Sequence, residues 1–222
     1  MKLLLEYGTN INVYDNYGYT PLLQSSSEGD INRVYYLMKY GAKVDAKDSY
    51  HNTSLTLACK YGHLDVVNFL LENGADINVR NINGDTPLNV SCYALYLSYD
   101  NIYHKIIELL LNYNADVNIA NNNNSTPLGV ASEIGEKVVV ELLLKHGANV
   151  NAVDNDGDSP LTLAREGHYS EVEELLIKYG AQLWLNKKKL IITFIFLYLY
   201  AFYFVENNVF NNKYTKKLTR RY

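Results

Sequence analysis

Residues 53–78 read TSLTLACKYGHLDVVNFLLENGADIN, and this stretch decides the fold. Thr53 suits a helix N-cap, because its hydroxyl can take one of the amides that a first turn leaves unpaired. A short helix follows through Leu55-Thr56-Leu57-Ala58-Cys59 and is stopped by Gly62. Val66, Val67, Phe69, Leu70 and Leu71 then recur at three-to-four spacing, which predicts a second helix with one apolar stripe. Gly74 ends it in a left-handed cap.

The unit is not alone. Thr53-Ser54-Leu55 is preceded by Thr20-Pro21-Leu22 and followed by Thr86-Pro87-Leu88, Thr126-Pro127-Leu128 and Ser159-Pro160-Leu161, in steps of 33, 33, 40 and 33 residues. Proline fits a first helical position, where its missing N–H costs nothing. A second marker, Gly-Ala, stands at Gly41-Ala42, Gly74-Ala75, Gly147-Ala148 and Gly180-Ala181. In the long third unit it is Asn114-Ala115, displaced by the same seven residues as the next Thr-Pro-Leu. Asn114 at a helix cap, and His51 and Asn124 at the turn glycine of a loop, are residue types that tolerate positive φ. The backbone geometry is expected to persist at all three. In the fourth unit Val138, Val139, Leu142 and Leu143 are expected to form the apolar stripe.

The pattern resembles the ankyrin repeat. Thr-Pro-Leu, Gly-His at Gly62-His63 and Gly167-His168, Leu-Leu, and Gly74-Ala75-Asp76-Ile77-Asn78 all match that family's marks. The resemblance covers about residues 1–182. It implies an all-α repeat solenoid: stacked helix-turn-helix units with β-hairpin loops along one edge, each unit held by its neighbours. Residues 1–12 align with a second helix alone, as a partial repeat. Five repeats follow at about 13–45, 46–78, 79–118, 119–151 and 152–182, and a hydrophobic and basic tail occupies 183–222. The chain thus starts inside a repeat; a fragment is the favoured expectation, with a crude half-unit cap as the alternative. Glu6 cuts the first apolar run after three leucines, too early for a signal peptide.

The seven extra residues of the third unit lie between Tyr93 and Lys105. Tyr93, Tyr96, Tyr99 and Tyr103 would form one stripe on an extended first helix. The stripe either packs on its own second helix, the favoured expectation, or forms a ligand-facing aromatic wall. In the tail, Lys187-Lys188-Lys189 precede an uncharged apolar run at 190–205. Sixteen helical residues span about 24 Å, short of the roughly 30 Å of bilayer hydrocarbon. A short membrane anchor with snorkelling lysines, an element packed on the last repeat, and spurious translation of A/T-rich DNA all stay open.

Composition agrees with a globular solenoid. The 222 residues are 48% hydrophobic and 20% charged, neither disordered nor fibrous. The net charge of −4 gives no reason to expect nucleic acid. It divides unevenly, with 12 Lys/Arg against 23 Asp/Glu in residues 1–182, and 8 against 1 after them. Two cysteines exclude a disulfide scaffold and a four-cysteine zinc module; Cys59 and Cys92 are expected to be small buried thiols in first helices. None of the five histidines pairs at metal-ligand spacing. Asp154-Asn155-Asp156-Gly157-Asp158 fails the register of a calcium loop, because the first and twelfth ligands would be Ala152 and Leu163. No phosphate loop, nucleophile elbow or HExxH occurs, so no enzyme, cofactor or metal site is expected.

The resemblance implies a protein–protein interaction module, monomeric and in the cytoplasm, or membrane-associated with its repeats in the cytosol. Its binding surface would be the hairpin tips and the exposed ends of first helices, where the units differ from one another. The candidates are Tyr14, Asn16, Tyr17 and Tyr19 in the first repeat and Lys47, Ser49, Tyr50, Asn52, Lys60 and Tyr61 in the second. Arg80, Ile82, Asn83, Asp85 and Tyr93 complete them in the third. Tyrosine and arginine are favoured interface anchors. Two alternatives accompany this expectation: a protein anchored in a membrane by a C-terminal transmembrane helix, and a substrate adaptor for a ubiquitin ligase. No F-box-like module follows the repeats to support the adaptor.

Overall fold

The computed structural model describes residues 10–98 and 101–182. Ten helices lie among them: α1 (Pro21–Glu28), α2 (Ile31–Lys39), α3 (Ser54–Lys60), α4 (Leu64–Glu72), α5 (Pro87–Ser98), α6 (Asn101–Asn112), α7 (Pro127–Glu133), α8 (Lys137–Lys145), α9 (Pro160–Glu166) and α10 (Ser170–Lys178). They pack as five pairs. Odd-numbered helices stack on odd-numbered ones in one layer, and even-numbered helices on even-numbered ones in a second. The result is an all-α solenoid with a continuous core running through every pair, from Leu22 and Val34 through Leu70 and Leu110 to Val172 and Leu176.

Each pair begins as the residue types dictate. The side chains of Thr20, Thr53, Thr126 and Ser159 accept from the amides of Leu23, Thr56, Gly129 and Thr162, as N-caps. Thr86 does the same for the Asn89 amide at 3.3 Å. The second helices end at Gly41, Gly74, Gly147 and Gly180, all with positive φ, and at Asn114 with φ 62°. His51 and Asn124 hold φ values of 60° and 56° in their loops, so the glycine geometry survives their side chains.

Three expectations need correction. The first helix of the third pair ends at Ser98, and Tyr103 lies on α6, so the insertion lengthens both helices and splits the tyrosine stripe. Tyr99 lies outside the described residues. In α8 the buried residues are Val139, Val140, Leu143 and Leu144, while Val138 is 64% exposed; the stripe is displaced by one residue from the expected phase. Gly167-His168 does not match Gly62-His63. His168, with φ 58°, takes the left-handed position of Gly62, and Tyr169 stands where His63 does, as N-cap of the second helix. The loops are tight turns, each closed by two backbone hydrogen bonds such as Asn81 N–H to Asp85 O, 3.0 Å, and Gly84 N–H to Asn81 O, 2.9 Å, and none of the described residues is in a strand.

The residue at that second-helix position ties each pair to the one before. His63 Nε2 lies 3.0 Å from Ser27 O, and its ring covers Gly29. In the lengthened third pair Tyr103 does this work, donating its hydroxyl to Lys60 O at 3.1 Å over Gly62. Tyr169 covers Gly135 in the last. A second ladder runs along the loops. Asn118 Oδ1 accepts from Asn149 N–H at 2.8 Å while its Nδ2 donates to Gly147 O; Asn12 repeats this three units earlier in the stack and Asn151 one unit later.

These contacts make Gly84 irreplaceable where His51 is tolerated. Gly84 has φ +79°, and a Cβ there would lie 2.8 Å from the backbone nitrogen of Asn122 in the next loop. Gly84→Ala is expected to lower stability by about 1–3 kcal/mol through strain and displacement of that backbone. A denaturant midpoint equal to the parent's would show that the loops do not abut.

The thiols behave as the spacing suggests. Cys59 and Cys92 are free and buried, each 0% exposed, and burial pushes both thiols up to about 12. Both are expected to label slowly with a thiol reagent until denaturant opens the fold. A Cys59–Cys92 bridge in non-reducing mass mapping would contradict the packing.

Candidate functional site

The loops project beside the first helices, and between them lies a cavity of about 520 Å³. Nine of the fifteen residues expected at a binding surface line it: Tyr19, Tyr50, Asn52, Lys60, Tyr61, Ile82, Asn83, Asp85 and Tyr93. The loops supply Tyr50, Ile82 and Asn83. The C-terminal end of α3 supplies Lys60 and Tyr61, and the middle of α5 supplies Tyr93. The fold therefore brings together residues spread over more than seventy positions of sequence, because each stacked pair offers the same two places to the same face.

Local geometry sets each side chain. Asp48 Oδ1 accepts from the amides of Tyr50 and Asn52, both at 2.8 Å, and so holds the second loop in a tight turn. Asn81 Oδ1 does the same for Asn83 and Asp85. Ile82 N–H then donates to Tyr50 O at 2.9 Å, which fixes one loop against the next. A polar row runs along the base. Asn52 Nδ2 donates to Asp48 Oδ2, Asn81 Nδ2 to Asn52 Oδ1, and Asn121 Nδ2 to both Asp85 Oδ1 and the Tyr93 hydroxyl oxygen. Aromatic groups stand above this row. Tyr50 is 64% exposed and Tyr61 48%, while Tyr19 and Tyr93 are half-buried. Burial, reinforced by the Asp48 carboxylate, raises the Tyr19 hydroxyl above its ordinary value.

Not every expected residue is a free surface group. Asp85 is buried at 8% exposure, and burial pushes its carboxyl above the usual range, against the Asn121 hydrogen bond and the charge of Arg80. Arg80 lies outside the cavity. Its Nε donates to Gly84 O at 3.0 Å and its Nη2 to Ala120 O at 3.1 Å, so it braces one loop against the next. Asn16, Tyr17, Lys47 and Ser49 are exposed on the first two loops and line neither this cavity nor the next. Tyr14 and Tyr19 line a smaller hollow of about 250 Å³ with Val13, Asp15, Pro21, Gln24, Ser25 and Arg33.

The cavity also recruits Leu57, Asn81, Val90, Ala94, Leu97 and Ser98, which sequence reasoning missed, and Tyr103, which it had named only as part of a possible aromatic wall. Leu97 is 80% exposed, because α5 runs 12 residues and carries its last turn past the 7 of α3 and α7. The signal was the seven-residue insertion itself: length added to a first helix extends its exposed end.

Among the described residues no group of three or more His, Cys, Asp or Glu could hold a metal ion. Aromatic walls, a buried carboxylate and fixed amides suit a concave recognition surface. The surface stands on a solenoid of stacked helix pairs, the architecture of a repeat scaffold. The family model for ankyrin repeats (three copies) matches residues 1–81 and 92–187, and the chain belongs to that family, whose repeats generally serve as protein–protein interaction modules. No curated protein gave a match. Among the described residues no helix is long and apolar enough to cross a membrane; the candidate segment at 190–205 lies outside them.

Proposed function

We propose that this chain binds a protein partner through the concave face built by the loops and first helices of the first three pairs. The observation that carries it is the cavity of about 520 Å³, lined by four of the expected tyrosines and the overhanging Leu97. Tyrosine supplies a large contact area for few rotatable bonds, and exposed aromatic groups around a concavity are the composition of an interface centre. The last two pairs offer no comparable set: their loops present Asn122, Asn123, Asn155 and Asp156, all exposed.

A site-specific crosslink tests this proposal. A photoreactive phenylalanine at Tyr61, inside the cavity, is expected to trap the partner in cells. The same group at Val138, exposed on the opposite helix layer, is expected to trap nothing in common with it. Equal yields of the same adduct from both positions would mean that the concave face is not the binding surface.

A further inference from the structure

The cavity holds a buried carboxylate that forms no salt bridge among the described residues. One Asp85 oxygen accepts from Asn121 Nδ2 at 2.9 Å. Arg80 acts on it through space alone, since Gly84 O and Ala120 O hold its guanidinium. A buried carboxylate with a single side-chain donor is a costly arrangement unless a donor arrives with the ligand. The walls around it are tyrosine rings, whose faces attract cations. Residues 1–182 add a general bias in the same direction, with 23 acidic against 12 basic side chains.

We infer, resting on the binding face proposed above, that the cavity receives an arginine side chain of the protein partner, with its guanidinium against Asp85 and its plane beside the rings of Tyr50, Tyr61 and Tyr93. Arginine fits better than lysine, because its flat and weakly hydrated head stacks on aromatic faces while its fork donates to a carboxylate. The volume has room for that side chain and the backbone on either side of it. Lys60 is the one cation among the described lining residues, and its Nζ stands 5.5 Å from the centre of the Tyr61 ring. That contact shows a ring of this wall already facing a cation. It also places a like charge near the guest, so Lys60 weakens the interaction and tunes it.

The probes are two blocked pentapeptides, acetyl-Ala-Ala-Arg-Ala-Ala-amide and its citrulline counterpart, which keeps the shape and removes the charge. Binding to the full chain is followed by saturation-transfer NMR. The arginine peptide is expected to bind about tenfold tighter than the citrulline peptide, the gap that a charge-assisted hydrogen bond supports. Asp85→Asn is expected to abolish that gap, and Lys60→Gln to widen it by about two- to threefold, in line with a partly exposed like charge. Equal binding of the two peptides to the unaltered chain, or no binding of either, overturns the inference. Should Asp85→Asn lose its thermal transition, the comparison on the unaltered chain decides alone. A Tyr61 crosslink to the partner together with equal peptide binding would remove the arginine and leave the binding face standing.

Discussion

Leu70→Ala is expected to destabilise the solenoid by about 2–5 kcal/mol, the range for truncating a fully buried leucine. Leu70 is 0% exposed on α4, within the core shared by the second and neighbouring pairs. A solenoid has no central core to absorb the cavity, because stability is a sum of pair energies and nearest-neighbour interfaces. The loss falls on both sides of the second pair and should broaden the unfolding transition as well as shift it. Urea denaturation followed by far-UV circular dichroism checks both. A loss under about 0.5 kcal/mol would show that Leu70 is not in the core.

Tyr61→Ala is expected to weaken partner binding by about 2 kcal/mol or more, roughly thirtyfold, while leaving the thermal midpoint within about a degree or two. Tyr61 follows α3 as its C-cap residue and is 48% exposed in the cavity wall. Its backbone amide donates to Leu57 O, a bond that alanine keeps. The side chain is therefore removable without touching the core. Titration calorimetry with the captured partner gives the first number and a thermal melt the second. A matched fall in both would make Tyr61 a structural residue and not an anchor.

The helix pairs were legible because each end carries its own chemistry. A Thr or Ser N-cap, a proline in the first turn and a left-handed cap at Gly74 or Asn114 are local devices, so residue type and spacing suffice to read them. The phase of α8 was not legible for a related reason. Its nine residues include Val138, Val139, Val140, Leu142, Leu143 and Leu144, and two helical turns cannot distinguish one three-to-four stripe from the next. The neighbouring pairs make that choice. Tyr103 shows the same limit: its sequence neighbours place it in a tyrosine run, whereas its task is the one His63 performs, hydrogen bonding the preceding first helix. An insertion placed before it hides the equivalence.

The face of the candidate site could be read from the sequence, and its floor could not. Exposure of Tyr50, Ile82 and Asn83 follows from their place on loop tips. The fate of Asp85 and Arg80 depends on the following loop, where Asn121 Nδ2 meets the carboxylate and Ala120 O takes the guanidinium. Those partners lie 36 and 40 positions away, and only the stacking brings them within reach.

The central claim is that the tyrosine-lined face of the first three pairs, and not the acidic loop of the last, meets the partner. The most direct test compares Tyr50→Ala with Asp156→Ala in the full chain, measuring partner affinity at a low and a high salt concentration. Tyr50→Ala is expected to cost about thirtyfold at both, since a buried aromatic contact is insensitive to screening. Asp156→Ala is expected to change affinity less than about threefold, an effect that fades with salt as a distant charge should. A damaging Asp156→Ala whose effect vanishes at high salt, beside a silent Tyr50→Ala, would contradict the account and move the binding face to the acidic end.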